Sequence, residues 1–121
     1  MNADAKAMVT GWFRGAPAVP GTLVRSLRFP DETVLTDTLA PGYSGASVEL
    51  AWRSVVDAFD VLAARRLVAD QLIWTHEKTL LHCARRTDET ILALLMPRHQ
   101  PSAEPKQVAK LIADFLAQAA G

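Results

Sequence analysis

The chain is nearly devoid of cysteine, with Cys83 the single one among 121 residues. A lone cysteine closes no internal disulfide, so the fold must hold without covalent staples, and a reducing cytoplasmic compartment is its expected home. Net charge is absent as well, thirteen basic residues cancelling thirteen acidic ones. Without a surplus of one sign no long-range field draws in a phosphate backbone or an anionic leaflet, so neither nucleic acid nor a membrane surface is an expected partner. No apolar run approaches the ~20 residues of a membrane-spanning helix. The opening MNADAKAMVTGWF carries Asp4 and lacks a continuous apolar core, unlike a signal peptide. Also missing are a Gly-rich loop after a strand and a G-x-S-x-G elbow, which removes the phosphate cradle and the hydrolase nucleophile as readings.

What is present is an ordinary globular composition, half hydrophobic and 21% charged, in a length that predicts one domain over residues 1–121. The most apolar stretch is Thr90 to Met96, TILALLM, closed by Pro97. A strand with one wet face alternates apolar and polar side chains, so an unbroken run means both faces are covered. Six residues are short for a helix, and Asp88, Glu89 and Pro97 prevent extension. A central strand is expected.

Around it the elements follow in order. Asn2 or Asp4 caps a helix with Ala5, Met8, Val9, Trp12 and Phe13 on one stripe, and Gly15 ends it. Thr22 to Phe29 and Thr33 to Leu39 read as a hairpin around Pro30, Asp31 and Glu32, with Leu23, Leu27 and Phe29 on one side and the polar second strand at an edge. Ser44 or Ser47 caps a continuous helix to Arg66, about five turns long by its rise per residue. Ala69 to His76 and Thr79 to Arg85 form a second hairpin about Glu77 and Lys78, which sets Trp74 opposite Leu81 and Ile73 opposite His82. The last helix carries Val108, Leu111, Ile112, Phe115, Leu116 and Ala119 on its stripe.

The long helix has an excess. Val48, Ala51, Trp52, Val55, Val56, Ala58, Phe59, Leu62 and Ala63 fill an arc of roughly 160°, whereas one sheet covers a stripe of about 100°. Its surplus flank, assigned to Trp52, Val56 and Ala63, calls for a second surface, and Trp52→Glu is expected to leave the protein folded but dissociated.

Candidate chemistry resolves mostly into structure. His76, His82 and Cys83 are close in sequence, but the pairing sends His82 to the opposite face, so the three do not converge on one ion and no metal is expected. Ser44 and Ser47 are explained as caps. Asp31, Glu32 and Asp37 read as a solubilising hairpin, Arg85, Arg86, Asp88 and Glu89 as a solvated turn, and Arg65 with Arg66 as a helix end. No catalytic residue and no cofactor are expected, and the chain is not expected to be an enzyme.

The order helix, strand, strand, long helix, three strands, helix, together with the opening P-G-T-L-V at Pro20 to Val24 and the amphipathic helix from Ser47 to Arg66, resembles the roadblock family of dynein light-chain-type domains. The resemblance implies an α/β (α+β), profilin-like three-layer sandwich: a five-stranded antiparallel sheet of order 2-1-5-4-3, the long helix on one face and the terminal helices on the other. It also implies a homodimer through the long helix and third strand, which maps the interface onto Trp52, Val56, Ala63, Leu72, Ile73 and Trp74. The implied function is a non-catalytic scaffold that binds or regulates a small Ras-like GTPase or a motility or polarity complex. The alternative is a small-ligand sensor with Trp74, Phe59 and Met96 around an internal apolar pocket. Many members carry an Asp-Gly turn in the first hairpin, where this chain has Asp31 and Glu32, so that turn must differ in type.

Overall fold

From Ile91 to Met96 no side chain is more than 8% exposed, and the segment Ile91–Pro97 is the middle strand of the sheet. A strand covered this completely needs a layer on each face. The computed structural model describes residues 1–67, 69–99 and 103–118. Ala119 of the last stripe, the side chain of Ser47, and residues 100–102 of the loop before the last helix lie outside the described residues. The elements are α1 (Ala3–Gly15), β1 (Val24–Arg28), β2 (Val34–Thr38), α2 (Ala46–Glu49), α3 (Trp52–Ala64), β3 (Gln71–Thr75), β4 (Thr79–Arg85), β5 (Ile91–Pro97) and α4 (Pro105–Ala117).

All pairings are antiparallel, and the strands lie in the order β2-β1-β5-β4-β3. The register of the second hairpin is the one its loop dictates, Trp74 opposite Leu81 and Ile73 opposite His82. Because successive strand residues face opposite ways, β5 feeds two cores. Leu92, Leu94 and Met96 pack with Val9 and Phe13 of α1 and with Leu111, Ile112 and Phe115 of α4. Ile91, Ala93 and Leu95 pack with Val48, Trp52, Val55 and Phe59 and with Leu81 and Cys83 of β4. The result is three layers, helices on both faces of one sheet.

Several local expectations change. Asn2, not Asp4, caps α1, its Oδ1 accepting from the Ala5 N–H at 2.7 Å. Leu23 packs in the α3-side core, away from Leu27 and Phe29. It precedes the ladder, and its carbonyl accepts from the N–H of both Leu39 and Ala40, so two residues oppose one and the alternation resets as at a bulge.

The helix expected to run unbroken from Ser47 to Arg66 is divided. At Leu50 and Ala51 ψ shortens to −24° and −16°, and the Ala51 N–H donates to Val48, three residues back. That is a 3₁₀ step, tighter than the α-helical turn. Leu50 is left 85% exposed at the step, while Val48 and Trp52 on either side are buried.

Candidate interaction surface

The two edges of the sheet are not alike. At β2, Asp37 pairs with Arg25 at 3.0 Å and Glu32 in the adjoining turn faces Arg28, so charge guards that edge. β3 reads QLIWT, with no charged residue, and among the described residues pairs only with β4. Leu72 and Trp74 turn toward α3 and are half-buried, whereas Ile73 is 57% exposed. An uncharged, apolar edge strand is a template for another strand unless something covers it.

Beside this edge runs a groove of about 630 Å³, walled by Ser54, Asp57, Ala58, Val61 and Leu62 of α3 and floored by Leu72, Ile73 and Trp74 of β3. Val61 is 53% exposed. The wall is fixed in place: Arg85 of β4 lays its guanidinium over the Phe59 ring at 5.1 Å and donates through Nη1 to Asp60 Oδ1 at 2.8 Å. The end of α3 is closed by a Schellman arrangement, with Arg66 at φ 60°, the Arg66 N–H on the Ala63 carbonyl and the Leu67 N–H on the Leu62 carbonyl. Leu67 stays exposed there.

The six residues expected at an interface divide into two groups. Leu72, Ile73 and Trp74 do come together on the groove. Trp52 does not: it is 5% exposed, packed in its own chain's core, and with Val56 it lines a different cleft, toward Arg28, Glu32 and Val34 at the β2 end. Ala63 is exposed but lies by Phe59, Leu67 and Arg85, off the groove. The Trp52–Val56 flank of α3 faces the β1–β2 hairpin, and the Asp57–Leu62 flank faces β3. Val61, on the same helix, does line the groove. Its signal was an apolar side chain on the outward face, between Asp57, Asp60 and Arg65.

Other predicted sites resolve as follows. His82 Nε2 lies 3.0 Å from Gln71 Oε1, and burial lowers its pKa. Cys83 is buried, and burial pushes its thiol up to about 12, far from a reactive thiolate. Among the described residues no group of three His, Cys, Asp or Glu is placed to hold a metal ion. The Lys6 ammonium, 2.6 Å from Asp31, holds that carboxyl well below the usual carboxylate range, with Thr33 adding hydrogen bonds. The turn read as solvated is not: Arg86 is buried, with Nε on Asp88 at 3.1 Å and Nη1 donating to the Phe115 carbonyl at 2.8 Å. Phe59 and Met96 belong to cores on opposite faces of the sheet, so they do not line one pocket with Trp74. Among the described residues no helix is long and apolar enough to cross a membrane.

No protein-family model matches the chain, and no curated protein does. Solved structures do. The Roadblock/LC7 domain from Streptomyces avermitilis is 21% identical and superposes with a TM-score of 0.59 over 91% of this chain and 89% of that one. MglB from Myxococcus xanthus is 11% identical with a TM-score of 0.63, over 96% and 91%. The gliding protein MglB from Thermus thermophilus is 15% identical with a TM-score of 0.57, over 98% and 95%. At these identities the likeness is one of fold. This chain has the roadblock fold, an α+β sandwich about a five-stranded antiparallel sheet of order 2-1-5-4-3.

Proposed function

We propose that this chain is a non-catalytic homodimeric scaffold, acting in the cytoplasm, that binds or regulates a small Ras-like GTPase or a motility or polarity complex. The observation that carries the reading is the β3 edge: five residues without a charge, with Ile73 exposed, next to a groove that Val61 and Leu62 line. An edge of this kind is a liability unless a second strand pairs with it. A second copy supplies one by a twofold axis, the commonest oligomeric symmetry. The fold shared with the gliding protein MglB supports the motility part of the reading.

Two measurements test it. Light scattering at micromolar concentration is expected to return twice the mass of the 13.2 kDa chain, and a monomer would remove the scaffold. Capture from native cytoplasm, repeated with GDP and with a non-hydrolysable GTP analogue, is expected to retain a small GTPase in one nucleotide state. Retention indifferent to nucleotide argues against a GTPase partner.

A further inference from the structure

We infer that the cleft between α3 and the β1–β2 hairpin binds a small zwitterion of the α-amino-acid class with an apolar side chain, its carboxylate taken by Arg28, Arg53 and the Trp52 indole N–H and its ammonium by Glu49 and Asp57. The site lies by β2, at the opposite edge of the sheet from β3, and stands independently of the homodimer reading.

Three observations lead there. The first is a donor without an acceptor. Trp52 is 5% exposed, and its Nε1, sealed from solvent, has no hydrogen-bond partner among the described residues. An N–H left so is costly, and an oxygen brought by a ligand recovers that cost. Trp52 lines a cleft of about 700 Å³, with the hairpin on one side and the helical segment on the other. Arg53 of that cleft, exposed and unanchored, is free to swing aside and let an oxygen reach the indole.

The second is the state of the charges in the cleft. Arg28 meets Glu32 only at 3.8 Å, beyond hydrogen-bonding reach, and among the described residues no hydrogen bond or ion pair engages the side chains of Glu49, Arg53 or Asp57. Arg25 and Arg85, by contrast, hold their aspartates at 3.0 and 2.8 Å. A bare anion entering the cleft would meet three carboxylates and a bare cation two guanidinia, whereas a zwitterion answers both signs. Guanidinium and indole N–H groups only donate, so the end they take is the carboxylate. The third is what lies among the charges. Val34, Val56 and the Trp52 ring give an apolar lining beside convergent polar groups, the surface that an apolar side chain requires.

Nuclear magnetic resonance of the isotope-labelled chain tests the site, because each of the three tryptophans gives one indole N–H signal and Trp52→Phe identifies the one concerned. The probe is L-phenylalanine, compared with phenylalaninamide, which lacks the carboxylate, and hydrocinnamate, which lacks the ammonium. L-Phenylalanine is expected to move the Trp52 signal saturably while those of Trp12 and Trp74 stay, and each truncated analogue to bind about tenfold more weakly or worse. Arg53→Gln and Asp57→Asn, both at exposed positions, are expected to weaken binding by about the same factor in a protein that remains folded. The site is overturned if the Trp52 signal does not respond, as when its N–H takes only a water, or if all three indole signals shift together. It is overturned equally if either analogue binds as well as the amino acid, or if Arg53→Gln leaves the affinity unchanged.

Discussion

Arg86 Nη1 donates to the Phe115 carbonyl at 2.8 Å, tying the turn between β4 and β5 to the last full turn of α4. The same guanidinium lies 5.7 Å from the Phe115 ring centre and bonds Asp88 through Nε. Arg86→Leu strands a carbonyl and a nearly buried carboxylate, a loss of about 3 kcal/mol by the cost of breaking a buried pair. Urea unfolding at neutral pH checks it. Arg86→Ala alone at an ordinary solvated turn would cost within about 0.5 kcal/mol.

Gly45 is needed for space, not for backbone freedom. Its φ is −60°, yet a Cβ there would sit 2.6 Å from Thr36 Cγ2, and the Thr36 hydroxyl is anchored on Ser26 Oγ at 2.8 Å. Gly45→Ala is expected to cost about 1–3 kcal/mol by overpacking. Thr36→Ser deletes the methyl and keeps the hydroxyl, so the double variant should recover most of the loss in the same melts.

Two hairpin turns share one design. In Asp31–Glu32–Thr33 and again in Asp88–Glu89–Thr90, the Asp carboxylate accepts from the Thr N–H and the Glu is left-handed, at φ 73° and 72°. A side chain in that region costs about 1–2 kcal/mol, part of which glycine returns through unfolded-state entropy. Glu32→Gly and Glu89→Gly are each expected to stabilise by about 0.5 kcal/mol, measured as a rise in thermal midpoint. A fall would mean that the glutamate side chains hold these turns.

Trp52 and Ile73 separate folding from association. A glutamate at Trp52 would be buried in the protomer's own core, so Trp52→Glu should unfold the chain, losing about 3–5 kcal/mol. Ile73→Lys, at the exposed edge, should leave circular dichroism unchanged while abolishing the dimer.

His82 sets a pH dependence. Its folded pKa lies below the ordinary value near 6.5 because burial disfavours the imidazolium. The unfolded chain therefore binds the proton first. Stability from this group is complete above about pH 7 and is lost as pH falls through 6.5 toward the lower folded value. His82→Gln is expected to flatten the slope of unfolding free energy between pH 7 and 5.

The amino-acid order alone determined the strands and the layers, but not the break that divides the long helix into α2 and α3. The unbroken run from Ile91 to Met96 required cover on both faces, and the two-residue loop at Glu77 and Lys78 required Trp74 opposite Leu81; both are local rules of pleat and period that act within a few residues. It also required that the long helical segment have more apolar arc than a sheet can cover. Only the tertiary structure decided which flank is left over. That depends on the angle at which α3 crosses the sheet and on the 3₁₀ step before it, which put Trp52 into the core and left Val61 beside β3. Crossing angle is settled by packing among residues far apart in the chain, and helical periodicity carries no record of it.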